Sequence, residues 1–293
     1  MDKVLVTGGA GFLGRHLIKN LLNKYRNIEI KAISRHENEV VEMLVACNSD
    51  KRLTPIIGDI REFDTAQYVL KDVDTAIHLA AMKHIDLCEL YPSEAVSINV
   101  TATVNLLKLF AGTTFIGMST DKAVEATGCY GATKLLLEKL ILEQARKNPE
   151  RRYMLVRSGN IFGSSGSVIQ RWRQQIKQSN KIVVTNIEMT RFYIDVKTLA
   201  GFIIQIIQKG KSGKIYIPFQ KTAKLGDLAR AVVELYGDAK TKIEVAGLRE
   251  GEKMHERLFS LSQKDIISDL KAESSENGEP LTVSEIKDWL KIY

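Results

Sequence analysis

A doubly wound, parallel α/β sheet with a smaller C-terminal lobe is the fold this sequence predicts, on three observations. Short β-branched runs alternate with helical patterns through the first two-thirds of the chain. A glycine-rich turn follows directly on the first of those runs. Past about residue 160 the alternation loosens, and Gly and Ser gather over residues 159–167. Strand–helix alternation implies parallel pairing, because each strand reaches the next through a crossover helix lying on a face of the sheet.

The first run, Val4-Leu5-Val6, leads into residues 11–24, where Leu13, Leu17 and Leu21 recur at helical spacing. Further strands are predicted at 28–33, 53–57, 75–79, 114–118 and 153–156, separated by helical patterns at 39–48, 63–70, 93–110 and 130–147. The looser remainder predicts helices at 168–178, 197–209 and 225–236 and strands at 182–184 and 214–217. Thr282 and Glu285 form a capping-box pair ahead of Ile286, Trp289 and Leu290, so a last helix is expected there. The organisation expected is a Rossmann part over residues 1–160. Residues 161–293 mainly form a substrate-binding lobe interleaved with it.

Composition narrows the class. The 293 residues are 44% hydrophobic and 26% charged, an ordinary globular balance that needs no disulfide or metal staple. Cys47, Cys88 and Cys129 form no CxxC pair and no even framework, which points to a reducing, cytoplasmic setting. Strand-like residues begin at Val4, so no leader is expected, and no apolar run approaches the ~20 residues of a membrane span. The net charge of +7 is scattered, without a basic stripe interleaved with aromatics. Neither nucleic acid nor membrane is therefore an expected partner, and the same charge suits a diphosphate-bearing substrate. The five His and three Cys do not cluster at ligand spacing, so no metal is expected.

The glycine turn is Thr7-Gly8-Gly9-Ala10-Gly11-Phe12-Leu13-Gly14, with Gly8, Gly11 and Gly14 at every third position. Between a strand and a helix, such a turn brings backbone close to a pyrophosphate and aims helix N–H groups at it. Phe12 and Leu13 enter the cofactor site with it. The second strand ends at Ser34-Arg35, where an NAD enzyme usually carries an acid for the ribose hydroxyl. Ser34 and Arg35 suit a 2′-phosphate, so NADP is expected over NAD; nearby Glu37 is the residue that would favour NAD. Asp59-Ile60, after the third strand, is the candidate adenine contact.

Tyr130 and Lys134 stand four residues apart on a predicted helix and so share a face. An ammonium there lowers the phenol's pKa and makes a tyrosinate base usable near neutrality. The pair follows, by about ten residues, a strand ending in Ser119-Thr120. Cys129 reads as a packed thiol and His78 as a satisfied core residue.

The glycine turn, Asp59, His78-Leu79-Ala80-Ala81, Ser119-Thr120 and Tyr130…Lys134 together resemble the extended short-chain dehydrogenase/reductase family. Six runs narrow the likeness: Ala80-Ala81-Met82-Lys83-His84, Ser119-Thr120-Asp121-Lys122-Ala123, Tyr130-Gly131-Ala132-Thr133-Lys134, Gly159-Asn160-Ile161-Phe162-Gly163-Ser164, Met189-Thr190-Arg191-Phe192 and Arg249-Glu250-Gly251-Glu252-Lys253-Met254-His255-Glu256. They resemble the UDP-N-acetylglucosamine 4,6-dehydratases of surface-glycan synthesis, from residue 3 to about 260. The resemblance implies a UDP-sugar substrate, cofactor contacts from Ala80, Ala81, Tyr130 and Lys134, and sugar or nucleotide contacts from Lys83, Asn160, Arg191, Arg249 and Glu252. It also implies a bracing role for Asn99 and a homo-oligomer, dimer or higher. One departure touches the substrate loop: the family's Arg between two Ser-Gly elements is missing from Gly163-Ser164-Ser165-Gly166-Ser167.

Asp121-Lys122 is the distinctive piece. Epimerisation needs only Tyr130, Lys134 and a hydroxyl such as Thr120. A dehydratase must also take the C-5 proton and expel the C-6 hydroxyl, which calls for one base and one acid. Lys122 and Asp121 supply both. Two other readings stay open: a UDP-hexose 4-epimerase or 4-ketosugar reductase, and a catalytically silent NADP-binding regulator.

Overall fold

The computed structural model describes residues 2–248, 252–260, 262–270 and 272–293. Its strands, in chain order, are β1 (Lys3–Thr7), β2 (Glu29–Ser34), β3 (Leu53–Ile57), β4 (Thr75–His78), β5 (Thr114–Thr120) and β6 (Arg152–Ser158). They continue with β7 (Asn160–Ile161), β8 (Lys181–Val184), β9 (Thr190–Ile194), β10 (Lys214–Ile217), β11 (Lys221–Lys224), β12 (Lys242–Val245) and β13 (Ile266–Ser268). Eight of them form one sheet in the order β13-β10-β6-β5-β4-β1-β2-β3, every pairing parallel. The chain winds outward from β1 to β3, then crosses back to β4 and winds the other way. That reversal between β1 and β4 leaves a crevice at the carboxyl ends of the strands, where ligands of such sheets bind. The fold is the doubly wound Rossmann sheet the sequence predicts.

Helices cover both faces, so the central strands read as continuous apolar runs rather than alternating ones. On one face, helix Phe12–Lys24 packs against helix Val196–Lys209, with Leu17, Leu21, Leu199 and Ile203 in one core. On the other, Leu137 and Ile141 of helix Cys129–Lys147 join Phe110, Phe115 and Tyr153. Helix Val196–Lys209 and strands β10 and β13 thus return the later chain to the large sheet. A second layer combines the β11-β9-β7 and β12-β8 sheets with helices Val168–Ser179, Leu225–Tyr236 and Val283–Ile292 around Trp172, Leu228 and Ile286. The expected capping box is present at Thr282 and Glu285.

The stretch 93–110 is not the uninterrupted helix its pattern predicts. Helix Pro92–Val96 passes through a wide π-turn, Ser97–Thr101, into helix Ala102–Leu109. Asn99, wholly buried, lies in that turn. Its side chain accepts the Met82 N–H at 2.8 Å and donates to the Met82 carbonyl and the Thr133 hydroxyl, each at 3.0 Å. One amide therefore ties the loop after β4 to the helix that carries Tyr130. Such π-bulges concentrate at functional sites.

Candidate active site

A cleft of about 1620 Å³ opens at the carboxyl ends of β1, β2, β4, β5 and β6, roofed by the second layer. Its floor is the glycine turn. Gly8 holds φ +67°, and a Cβ there would sit 2.9 Å from the Ala80 nitrogen. At Gly14 a Cβ would run into the carbonyl oxygens of Gly8 and Gly9. Helix Phe12–Lys24 opens with no side-chain cap and no acid in its first turn, leaving its leading N–H groups for an anion. These features fit a dinucleotide pyrophosphate. Gly11, Phe12, Leu13, Ser34, Arg35, Asp59, Ile60, Ala80 and Ala81 all line the cleft with them.

Two features of the ribose end were not foreseen. Arg61 occupies the Asp59 carboxylate through Nη2 at 2.7 Å and Nε at 2.9 Å, while Arg35 stands 4.0 Å away. The acid that reaches this corner is Glu39, which accepts from the Ser34 hydroxyl at 3.4 Å and lines the cleft; Glu37 does not line it.

Strand β5, the turn Asp121–Ala123 after it and helix Cys129–Lys147 bring Thr120, Lys122, Tyr130 and Lys134 to the same cleft. Burial, opposed by the charge of Glu138, pushes the Lys134 ammonium down to about 8. Glu138 lies one further helical turn along, a position the Tyr130–Lys134 spacing would have pointed to. It accepts from Ser119 Oγ at 2.6 Å and from Arg157 Nε at 2.8 Å and Nη2 at 2.7 Å. Tyr130 departs from expectation: its phenol is held above the usual range. Burial is the main cause and the Asp121 charge adds to it, while a hydrogen bond with Thr120 pulls the other way. The expected lowering by Lys134 is not among the causes; burial, which penalises a tyrosinate, decides the direction.

Asp121 also differs from a cleft-facing acid. It is wholly buried and does not line the cleft. Its Oδ1 accepts from Thr120 Oγ1 at 2.8 Å and from Lys122 Nζ at 2.9 Å. Glu256, which the sequence places in a motif but gives no role, does line the cleft. Its Oε1 lies 3.8 Å from Lys122 Nζ and 4.0 Å from Arg191 Nε. No short-range signal could have joined Asp121 to a residue so distant in the chain.

The expected substrate contacts are at the same cleft. Lys83 donates to the Ser165 carbonyl at 2.9 Å, crossing from the β4 loop to the Gly/Ser loop, and burial lowers its pKa. Asn160 donates to the Phe192 carbonyl at 3.2 Å, and Arg191 to the Thr190 carbonyl at 2.8 Å. Glu252 lines the cleft, and Arg249 lies outside the described residues. His78 is the core residue expected: Thr7 and Thr103 hold its ring nitrogens at 2.7 and 3.0 Å, and burial lowers its pKa to about 3. Cys129 is half-buried, and burial raises its thiol pKa. Among the described residues no group of three His, Cys, Asp or Glu gathers to hold a metal, and no helix is long and apolar enough to cross a membrane.

A cleft of this make, at the switch point of a doubly wound sheet with a Tyr-Lys pair beside it, defines an extended short-chain dehydrogenase/reductase architecture. More narrowly, residues 4–275 match the family described as polysaccharide biosynthesis protein, and the chain belongs to that family. It is 34% identical over 267 residues to an uncharacterized membrane protein of Methanocaldococcus jannaschii, covering 87% of this chain and 80% of that one. It is also 34% identical over 281 residues to the UDP-glucose 4-epimerase of Rickettsia prowazekii, covering 92% and 81%. Among solved structures, Pen from Bacillus thuringiensis superposes with a TM-score of 0.89 at 28% identity, over 100% of this chain and 98% of that one.

The displaced Lys134 pKa has a thermodynamic consequence. The folded state loses the Lys134 proton near pH 8, whereas the unfolded chain keeps it to the ordinary 10.5. Burying the ammonium therefore costs stability below about pH 8, and that cost fades as pH rises toward 10.5. Lys134→Met removes it. Its unfolding midpoint relative to the unsubstituted protein should be highest below pH 8 and should decline above it. A difference that stays constant with pH would refute the buried-ammonium assignment.

Proposed function

We propose that this protein is a nucleotide-sugar 4,6-dehydratase acting on UDP-N-acetylglucosamine or a close UDP-hexose, with NADP as its hydride carrier. The observation that carries the reading is the Asp121–Lys122 ion pair, 2.9 Å long, placed beside Thr120, Tyr130 and Lys134. Oxidation and re-reduction at C-4 need only the latter three. An acid–base pair on the next turn of chain is what elimination adds.

A bound nicotinamide, held by Gly8, Gly11, Gly14, Ser34 and Arg35, would supply hydride transfer from C-4 and back to C-6. Tyr130 acts as the tyrosinate, a form that the positive charge of a bound oxidised nicotinamide would favour against burial; it takes the 4-hydroxyl proton, and Thr120 holds the 4-oxygen. The new ketone acidifies C-5, whose proton passes to the Lys122 amine. The C5–H electron pair becomes the C5=C6 bond, and the C6–O bond breaks. The departing hydroxyl leaves as water on a proton from the carboxyl cluster behind Lys122, in which Asp121 is bonded to that amine. Lys122 then returns its proton to C-5, and the proton held on Tyr130 passes through Thr120 to replace the one the cluster gave up. Lys83, Asn160, Arg191, Arg249 and Glu252 hold sugar and nucleotide. No net redox results.

The second reading is a 4-epimerase, favoured by the 34% identity to the Rickettsia prowazekii enzyme of that name. A second copy of the chain is the expected partner: Leu87, Leu90, Tyr91 and Val96, on the segment 85–96, and Leu136, on the helix of Tyr130, are exposed large apolar residues.

Arg35 at the rim supports NADP. NADP should bind more tightly than NAD, and Arg35→Ala should narrow the gap; equal affinities in the unsubstituted protein would remove the argument. Lys122→Met tests the reaction itself. Reduced nicotinamide should accumulate after mixing with substrate, while 6-deoxy product falls by about a hundredfold or more. Near-normal product from Lys122→Met would put the epimerase reading first.

A further inference from the structure

We propose that Glu256 is a positioning residue for the elimination: its uncharged carboxyl keeps the Asp121–Lys122 ion pair convertible into a neutral acid and a neutral base. The inference rests on the dehydratase reading and names a residue which that reading leaves without a part.

The geometry sets a problem of charge. Lys122 lies between two buried carboxyl groups, Asp121 with no exposed surface and Glu256 at 4% exposure. Asp121 Oδ1 accepts two hydrogen bonds, one of them from Lys122 Nζ. Glu256 accepts no comparable bond from Lys122 or Arg191, since 3.8 and 4.0 Å exceed hydrogen-bond reach. Its Oε2 is buried without a hydrogen-bond partner among the described residues, as is Asp121 Oδ2. An unbonded, buried carboxylate oxygen is costly, and two carboxylates at one site do not both ionise freely. The cluster's proton therefore belongs on Glu256. The groups facing Glu256 are Asp121 and Lys122 from the turn after β5, Arg191 from β9 and Lys253 from its own segment. Burial comes first and Asp121 second in raising its pKa, against the three cations. Backbone bonds to Ser275, at 2.9 and 2.8 Å, fix where this carboxyl sits.

The consequence concerns Lys122. To take the C-5 proton it must be an amine, and Asp121, which reaches the cleft only through the Thr120 hydroxyl, must be a carboxylic acid to supply the departing hydroxyl's proton. Transfer of one proton along the 2.9 Å Lys122–Asp121 hydrogen bond makes both at once, with no proton gained or lost by the cluster. An ionised Glu256 beside Lys122 would hold the ammonium and oppose that transfer; a protonated Glu256 does not. After elimination Lys122 gives the C-5 proton back to carbon, and the proton gained by Tyr130 returns through Thr120 to Asp121 and Lys122, which restores the ion pair.

Glu256→Gln, which is permanently uncharged and of the same shape, is the test. In the unsubstituted enzyme, product formation in D2O, read as C-5 deuterium uptake, should decline as pH rises through the raised Glu256 range. Glu256→Gln should retain product formation within about threefold at low pH and lose that decline. Glu256→Asp, which keeps a titrating carboxyl, should keep a decline at a shifted pH. A Glu256→Gln profile identical in shape to the unsubstituted one overturns the proposal. So does a loss of about a hundredfold at every pH with nicotinamide reduction intact, since Glu256 would then be giving its own proton to the hydroxyl. Failure of the dehydratase reading looks different: the unsubstituted enzyme itself would form no 6-deoxy product. If Glu256→Gln does not fold, the pH profile of Glu256→Asp alone decides, its decline having to move.

Discussion

Arg157 and Glu138 meet where three parts of the chain must stay in register. Glu138 belongs to the helix that carries Tyr130 and Lys134, and Arg157 to β6. The second arm of Arg157 reaches the Leu258 carbonyl at 2.7 Å and Gln263 at 3.2 Å, in the segment that carries Glu252 and Glu256. Both side chains are buried, so neither charge has water to fall back on, and breaking such a pair costs about 3–5 kcal/mol. Ser119 joins the same carboxylate, so the end of β5 is held as well. Helix Cys129–Lys147, the strand ending in Thr120 and the segment carrying Glu256 are thereby fixed against one bidentate contact. The distances around Lys122 depend on it.

The charges in the cleft work against one another in a way that suits a multi-step reaction. Burial pushes Tyr130 up and Lys134 down, so both groups rest nearer their neutral forms. Asp121 adds to the first shift and Glu138 resists the second. A site whose groups are joined by fixed hydrogen bonds can pass protons with little rearrangement of solvent, because walls and fixed dipoles replace water. Asn99 contributes from outside the chemistry: its three hydrogen bonds set the Met82 loop and Thr133 together, and with them the approach of Ala80 and Ala81 to the catalytic helix.

Much of this was legible in the sequence because it is local. The strand–turn–helix at residues 4–24 announces itself through Gly8, Gly11, Gly14 and the Leu13–Leu17–Leu21 stripe, and the capping box at Thr282 is a four-residue signal. Strands β7, β9, β11, β12 and β13 leave no such signal: they run two to five residues and are stabilised by partners far along the chain, as β9 is by β11 and β13 by β10. The π-turn at Asn99 was hidden for the same reason, since a buried amide with distant partners, not helix propensity, sets it. Periodicity marks Asp121, Lys122 and Tyr130 as neighbours, but it does not say which carboxyl faces the cleft. That depends on how the 252–256 segment is folded back over β5. The Tyr130 shift was misjudged because spacing shows a neighbouring cation and not the depth at which both are buried.

The central claim is that this cleft oxidises a sugar at C-4 in order to eliminate at C-5 and C-6. Proton NMR of the purified protein with UDP-N-acetylglucosamine and NADP in D2O tests it most directly. The account predicts a 4-keto-6-deoxy product with a new methyl signal, deuterium at C-5 and no accumulation of reduced cofactor. A mixture of C-4 epimers with the C-6 hydroxyl intact would contradict it.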